Sequence, residues 1–402
     1  MIGSFTGVKV MLCRICNNQM GKIFSLGQQP LANKYPKSVN EFDAENILEM
    51  NAFYCDECGY INLPCEIGRA TFFEDYYYLS SINSELVAHF EDLALEIEFK
   101  KPKFVLDVGS NDGILLRPLK RLGISCLGID PSENVSAIAN DNGLKTLTGF
   151  FDFATGNLIK QRFGSPDLIC ACSVFTHLDD PKDFFKIAHN ILSERGEIII
   201  EVEYLQNIVQ ELAFERFYFD RPHYYSVRSL ARLASENGFT VSDISFVKPH
   251  GGSVRLTFQR SEVGQCFSGL QDLLSKERCI INFNTIQELF SDFELSCLHF
   301  ADELKQLKSD GKKVAGYGCP ARLSTITNFC KIEKDLLPYL IEDSPLKQGR
   351  FSPGMHIPIV SIDSLDEIDI LIVFAYEYID SIRKKVNRDS VTYYKPIPYS
   401  LI

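Results

Sequence analysis

The chain of 402 residues carries 41 basic and 53 acidic side chains, which gives a formal net charge of −12 at pH 7. Its length favours two or three domains, and 45% hydrophobic with 23% charged residues excludes a disordered chain. The acidic balance, without a local cluster of Lys and Arg, disfavours a nucleic-acid partner. No apolar run reaches the ~20 residues that span a bilayer, and residues 1–12 lack the apolar core of a signal peptide. We therefore expect a cytoplasmic protein without a membrane partner.

Two CxxC pairs stand in the turn-rich segment 12–60, and thirteen cysteines scattered through a long chain do not suggest a disulfide framework. Each pair is short enough for both thiolates to bind one tetrahedral Zn²⁺, and turn-forming residues follow each pair. Four thiolates fill the coordination of the metal, so we predict a structural zinc site. Buried free cysteines are the alternative; a redox role is less favoured, because neither pair follows a strand and precedes a helix. The predicted ligands are Cys13, Cys16, Cys55 and Cys58.

Short apolar runs alternate with helical segments from Lys103 onward, which is typical of βα units and a parallel sheet. Strands are predicted near 103–108, 124–129, 167–172 and 196–203. The runs DISFVK and SVRLTF flank a Gly-Gly turn and predict an antiparallel hairpin. We therefore expect a parallel sheet with one reversed edge strand.

A second α/β pattern follows a helical connector. Residues 266–309 have helical periodicity, with a buried face predicted to carry Leu270, Leu273, Leu274, Leu298, Ala301 and Leu304. Strand patterns then recur at KVAGYG, LLPYLIED and DILIVFAY. The predicted domains are 1–75 (zinc-binding), 76–262 (central α/β) and 263–402 (C-terminal α/β with the connector).

The run VLDVGSNDG (105–113) ends a predicted strand in a glycine-containing turn just before a helical segment. Free N–H groups and close backbone approach at such a turn suit a nucleotide cofactor. Asp130 ends the next strand, where an acid hydrogen-bonds ribose hydroxyls. Asn111 replaces the middle glycine of the commonest fingerprint, so the loop by itself fits NAD as well as S-adenosylmethionine.

Three further segments carry candidate chemistry. His177 follows the predicted strand 167–172, at the edge where open α/β sheets keep their sites. Residues 214–226, which include His223, are too polar and aromatic for a plain connector and predict the lip of a pocket. Residues 75–81 offer phenolic hydroxyls. A solvated loop histidine and aromatic packing between domains are the alternatives.

In this order the motifs resemble the sugar C-methyltransferases, which add a methyl carbon to nucleotide-linked keto-deoxysugars. The resemblance covers nearly the whole chain. The motifs that carry it are CRIC (13–16), LGQQPLANKY (26–35), CDEC (55–58), VLDVGSNDG (105–113), GIDPSENV (128–135), FTHLDD (175–180), PHGGSVRLTF (249–258), GYGCPAR (316–322) and EDSPLKQGRFSPGMHIPI (342–359).

The resemblance implies a zinc-binding domain, a class I S-adenosylmethionine domain with a Rossmann-like sheet, and a C-terminal Rossmann-like domain without a dinucleotide. It also implies a nucleotide-diphosphosugar substrate, methylated on a carbon, C-3, beside the ketone. The implied cofactor residues are Asp107, Gly109, Ser110, Asn111, Asp130, Pro131 and Phe151. The implied substrate and catalytic residues are Asn33, Tyr76 or Tyr78, His177, Tyr218, Lys347 and Arg350.

One departure from the family concerns the catalytic base. Where family members have Tyr-His-Glu-His, this sequence has Tyr218-Phe219-Asp220-Arg221, and a guanidinium cannot normally accept a proton. The base then passes to His177, to His223 or to Asp220, while Arg221 holds an oxyanion or diphosphate. The alternatives are methylation of a different sugar or of an anionic substrate, on oxygen or nitrogen, or binding without catalysis.

Overall fold

Three β-sheets organise the protein in the computed structural model, which describes residues 10–73, 76–364 and 367–402. Residues 1–9, which are part of the segment predicted to lack a signal peptide, lie outside this range, as does Asp75 of the aromatic segment. Within the described residues, no helix has the length and apolarity needed to cross a membrane.

The strands and helices are numbered in chain order. The strands are β1 (Gly21–Pro30), β2 (Ile47–Cys55), β3 (Tyr60–Asn62), β4 (Phe104–Val108), β5 (Ser125–Asp130), β6 (Thr146–Thr148), β7 (Leu168–Cys172), β8 (Glu197–Glu203), β9 (His223–Tyr225), β10 (Phe239–Val247), β11 (Ser253–Arg260), β12 (Val314–Tyr317), β13 (Leu340–Ile341), β14 (Ile359–Val360), β15 (Ile370–Val373), β16 (Thr392–Lys395) and β17 (Ser400–Leu401). The α-helices are α1 (Arg69–Phe73), α2 (Ser84–Lys100), α3 (Leu116–Arg121), α4 (Glu133–Asp141), α5 (Phe153–Phe163), α6 (Pro181–Ile191), α7 (Leu205–Gln210), α8 (Val227–Glu236), α9 (Leu270–Ile280), α10 (Phe283–Ser309), α11 (Ala321–Phe329) and α12 (Ile379–Val386).

The first sheet is antiparallel, in the order β1-β2-β3-β9. Its fourth strand comes from far along the chain, since Tyr60 pairs with Tyr225 and Asn62 pairs with His223. The segment after Pro222 is therefore an edge strand of the N-terminal sheet. Because a paired strand is fixed by its ladder of hydrogen bonds, β9 ties the zinc-binding segment to the central domain.

The central sheet has the order β6-β5-β4-β7-β8-β11-β10, and β4 to β8 are parallel as predicted. The expected position of the reversed strand was wrong. Strand β11 is antiparallel to β8 and lies second from the edge, whereas β10 forms the edge and runs in the same direction as the parallel strands. Burial explains this order, because Val254, Leu256 and Phe258 of β11 are fully buried while Phe246 of β10 is 57% exposed. The more apolar strand of the hairpin takes the interior position.

The C-terminal sheet has the order β14-β13-β12-β15-β16-β17, parallel except for β17. One residue of the predicted connector was placed on the wrong face, since Leu298 is 64% exposed. The buried stripe of α10 passes instead through Phe293, Cys297, Phe300 and Leu304. These positions repeat every three or four residues, and Leu298 lies about 100° around the helix from Cys297.

One apolar cluster joins the three segments of the chain. Phe24 of β1 stacks on Phe290 of α10 at a centroid distance of 4.7 Å and meets Phe217 edge to face at 4.9 Å. The Tyr35 hydroxyl donates a hydrogen bond of 2.7 Å to the Cys319 carbonyl in the turn after β12. This shared core brings the carboxyl edges of the central and C-terminal sheets to face a common space.

Candidate active site and zinc centre

The four predicted cysteine ligands converge beside the first sheet, with all four Sγ atoms within 4.8 Å of one another. Cys13 Sγ lies 3.9 Å from Cys58 Sγ, and Cys16 Sγ lies 3.6 Å from Cys55 Sγ. Tetrahedral zinc with Zn–S bonds of about 2.3 Å separates its sulfurs by roughly 3.8 Å, so the thiolates fit that ion. Because four sulfurs leave no open position, the arrangement suits a structural zinc ion.

The turn after β4 has the backbone geometry of a cofactor loop. Gly109 has a φ of 72°, and a Cβ at this position would overlap the Val174 side chain, so only glycine fits. Asp130 at the end of β5 accepts hydrogen bonds from the N–H groups of Asn111 and Ser132, each at 2.9 Å. Burial, and secondarily the charge of Asp130, raises the pKa of Asp107 to about 8.

The residues predicted to bind the methyl donor line one cavity. They are Asp107, Gly109, Ser110, Asn111, Asp130, Pro131 and Phe151. The hydroxyls of Ser110 and Ser132 are buried and have no hydrogen-bond partner among the described residues. A ligand rich in hydroxyl, amino and carboxylate groups would satisfy them, so the chemistry of the lining fits S-adenosylmethionine.

The side chain of Asn111 also binds the backbone of the aromatic segment. Its Oδ1 accepts a hydrogen bond of 2.9 Å from the Ser80 N–H, and its Nδ2 donates to the Tyr78 carbonyl at 3.1 Å. Asn134 Nδ2 donates to the Tyr76 carbonyl at 2.9 Å. The cofactor loop therefore holds the aromatic segment, whose Tyr76 and Tyr78 line the same cavity.

His177 lines the cavity with its tautomer determined by the backbone. Its Nδ1 lies 2.5 Å from the Asp220 carbonyl oxygen, which can only accept, so Nδ1 carries the proton and Nε2 keeps its lone pair. Burial, followed by the charge of Arg221, lowers the pKa of His177 to about 3. The imidazole is therefore neutral at pH 7.

The structure places three other predicted residues away from the cavity lining. Both ring nitrogens of His223 are engaged, with the Leu178 carbonyl at 2.7 Å and with the Tyr60 hydroxyl, because His223 belongs to β9. Asp220 turns its carboxylate to Asn33 Nδ2 at 2.5 Å. Arg350 donates to the Leu346 carbonyl at 2.8 Å. Asn33, Lys347, Tyr218 and Arg221 do line the cavity.

Comparisons with known proteins agree with this architecture. Three family models cover the chain in succession: a "putative zinc binding domain" at residues 13–73, a methyltransferase domain at 78–244 and a C-methyltransferase C-terminal domain at 248–398. The C-methyltransferase NovU of Streptomyces niveus is 26% identical over 357 residues, which is 87% of this chain and 85% of that protein. Together these matches identify the chain as a C-methyltransferase similar to NovU.

Two further similarities of this C-methyltransferase cover only part of the chain. A mitochondrial ubiquinone biosynthesis O-methyltransferase of Bos taurus is 31% identical over 24% of this chain and 27% of its own length. The solved magnesium protoporphyrin IX methyltransferase of Synechocystis aligns with 49% of this chain and 100% of its own, at 14% identity and a TM-score of 0.37. The class I fold, the cavity at the glycine loop and the four-cysteine cluster assign S-adenosylmethionine and structural zinc as the cofactors of the C-methyltransferase.

A buried charge network, which the sequence analysis missed, forms another wall of the cavity in the C-methyltransferase. Glu203 at the end of β8 pairs with Arg221 through Oε2 and with Arg216 through Oε1 at 3.3 Å. Arg216 also pairs with Glu377 at 2.6 Å, and Glu377 pairs with Arg322 of α11. Although burial opposes it, Arg322 and Arg216 lower the pKa of Glu377 to about 2.

The network contains residues of the central and C-terminal segments. In the sequence these residues appear only as single charges in otherwise apolar stretches, which does not indicate that they pair. Arg322 stood within GYGCPAR, yet its pairing with Glu377 spans 55 residues. Lys347 donates to the Cys319 carbonyl at 2.8 Å rather than to a carboxylate. Three guanidiniums thus share two carboxylates, and the ammonium of Lys347 adds a further positive charge.

Proposed function

We propose that this protein transfers a methyl group from S-adenosylmethionine to a carbon beside the ketone, C-3, of a nucleotide-diphospho-4-keto-deoxysugar through an enolate. The observation that most directly supports this proposal is that the glycine loop, His177, the tyrosines and the cations of the charge network all line one cavity. The similarity to NovU supports carbon as the acceptor. We keep 1–75, 76–262 and 263–402 as the proposed domains.

We assign removal of the proton to His177. Its Nε2 lone pair is available because Nδ1 is bound to a carbonyl, and its lowered pKa keeps it in the base form. Bound S-adenosylmethionine supplies an electrophilic methyl group. Burial raises the pKa of the phenols of Tyr76, Tyr78 and Tyr218, so they remain protonated and can donate hydrogen bonds to a sugar oxygen.

The charge of the cavity supports an anionic nucleotide. The protein carries a net charge of −12, yet the wall formed by Arg216, Arg221 and Arg322 has more cations than carboxylates. Lys347 and Asn33 also line this space. Guanidinium and ammonium groups are the usual partners of phosphate oxygens, so a diphosphate is the chemical group that would balance this wall.

A second candidate function is methylation of oxygen or nitrogen on an anionic substrate. The observation that favours it is Arg221 itself, because a guanidinium in place of the family histidine suits a carboxylate and O- or N-transfer demands a weaker base. A third is binding of sugar nucleotide and S-adenosylmethionine without turnover. Identification of the methylated atom separates all three.

The test incubates the zinc-loaded protein with S-adenosylmethionine carrying a ¹³C-methyl group and a panel of nucleotide-diphosphosugars, with and without a 4-ketone. We expect a new C–CH₃ signal in the carbon spectrum with a ketosugar only, and its loss in His177→Asn. The matched control is His299→Asn, since His299 lies exposed on α10 at 58%. A methyl carbon bound to oxygen or nitrogen would replace this proposal with the second, and binding of both ligands without product would favour the third.

A further inference from the structure

We propose that Arg221 is a catalytic electrophile that stabilises the enolate oxygen, and that Glu203 is the positioning residue that holds it. The inference rests on the proposed function, and it concerns Arg221, which stands where family members have the second histidine of their Tyr-His-Glu-His block. In this proposal Arg221 stabilises the enolate and does not accept the proton.

The Arg221 guanidinium is held on one side and open on the other. Its Nη1 donates to Glu203 Oε2, and its Cζ lies over the ring of Tyr218, 5.0 Å from the centroid. Within the described part of the chain, Nη2 makes no hydrogen bond, while the side chain lines the cavity and is 12% exposed. One donor edge is therefore available to a ligand oxygen.

Glu203 is itself fixed, which makes the position of Arg221 well defined. It ends the buried strand β8, and its other oxygen accepts from Arg216, which is anchored in turn by Glu377. A guanidinium already held by a carboxylate and a ring loses little conformational entropy when it binds an oxyanion. Prior orientation of this kind is what transition-state stabilisation requires.

Base and electrophile come from neighbouring positions of the backbone. The carbonyl of Asp220 binds Nδ1 of His177, and the next residue sends its side chain into the cavity. One dipeptide thus orients the imidazole lone pair and supplies the cation. A substrate ketone between them would meet a base at its α-carbon and a donor at its oxygen, which is the arrangement that enolisation needs.

Abstraction of the proton from the substrate does not require the methyl donor. The C–H bond at the α-carbon breaks and its proton bonds to His177 Nε2, while the C–H electron pair forms the carbon–carbon double bond. The carbonyl π pair moves to the oxygen, where Arg221 meets the new negative charge. Return of the proton restores the ketone, so in D₂O the α-carbon acquires deuterium even when no methyl donor is bound.

The local charges agree with these roles. The groups that act on the His177 imidazole are the cations Arg221 and Arg69, the His223 ring and the Asp220 carbonyl. These cations disfavour a protonated imidazole, and an enolate anion between Arg221 and His177 would relieve that repulsion. The imidazolium therefore becomes more favourable at the moment the enolate forms.

The experiment measures deuterium incorporation into a thymidine diphosphate-linked 4-keto-deoxyhexose in D₂O without S-adenosylmethionine. Arg221→Gln should slow exchange at the α-carbon by about 100- to 1000-fold, the range for loss of one oxyanion donor. Arg221→Lys, which keeps the charge but not the fork, should lose about tenfold. Glu203→Gln should lose about tenfold in exchange rate at saturation with little change in KM. The control Arg121→Lys alters an exposed Arg–Glu pair with Glu91 and should exchange as the wild type does.

Folding of each variant is checked by its melting temperature and by calorimetric binding of S-adenosylmethionine. Exchange by folded Arg221→Gln within about threefold of the wild type would overturn the proposal. Loss of sugar-nucleotide binding with an unchanged exchange rate in the saturated complex would also overturn it, because Arg221 would then be a substrate anchor. If the wild type neither exchanges nor methylates any ketosugar, the proposed function itself fails and this inference falls with it.

Discussion

Replacing Asn111 by glycine should release the aromatic segment from the cofactor loop. The Asn111 amide accepts from the Ser80 N–H at 2.9 Å and donates to the Tyr78 carbonyl at 3.1 Å, and Ser80 is only 9% exposed. Asn111 has a φ of 50°, a conformation that strains most side chains. Glycine accepts this φ without cost, so the variant removes the two hydrogen bonds and adds no backbone strain.

The size of the effect follows from the buried donor. An unsatisfied buried N–H costs about 1–3 kcal/mol, whereas Tyr78 is 38% exposed, so we expect water to replace the amide at its carbonyl. A value of about 2 kcal/mol corresponds to roughly a 30-fold rise in the population of the released segment. Turnover should fall because Tyr76 and Tyr78 lose their positions, while the backbone N–H of residue 111 still binds Asp130 and preserves donor affinity.

Hydrogen exchange of a peptide covering residues 76–83 measures this directly, since exchange of a locally protected amide reports its opening free energy. The matched control is Asn142→Gly, which removes an exposed amide that donates to the Ile138 carbonyl at 2.8 Å. Amides of β11 serve as an internal standard. If the Ser80 amide exchanges at the wild-type rate in Asn111→Gly, Asn111 does not hold the segment and the coupling of loop and tyrosines is refuted.

Three other predictions follow from the zinc centre, a buried carboxylate and the base. Cys58→Ser should lose its zinc ion and melt at a lower temperature, because structural zinc contributes folding free energy; elemental analysis showing full zinc content would contradict this. Glu277→Ala should lower the free energy of unfolding in urea by about 3 kcal/mol relative to the exposed control Asp272→Ala. The reason is that the buried Glu277 carboxylate accepts hydrogen bonds from the Tyr204 hydroxyl at 2.8 Å and from backbone N–H groups at the N-terminus of α8. Equal free energies for the two variants would refute this. Because the lowered pKa of His177, about 3, favours its neutral form, kcat/KM should hold as pH falls from 8 to about 5, and an acid limb near 6.5 would show an imidazole of ordinary pKa as the base.

Local patterns in the sequence predicted the features that are determined by residues close together in the chain, namely the metal-binding pairs and most of the strands and helices. The two CxxC pairs identified the zinc cluster, because two intervening residues suffice to bring two thiolates to one ion. Alternation of apolar runs and helical segments predicted the parallel strands of the central sheet and the C-terminal α/β unit, and the structure confirmed both. Strand β6 was not predicted, because three residues carry too little pattern.

Tertiary structure alone decided how distant residues meet. His223 stands two positions after Arg221, yet it belongs to a strand paired with the zinc-binding segment and does not line the cavity. The Arg322–Glu377 pair and the Asn111–Ser80 bond join positions that no periodicity relates. Sequence patterns report which face of an element is buried, because burial repeats with the period of a strand or helix. Which buried charges face one another depends on how three sheets pack, and that relation becomes visible only in the folded chain.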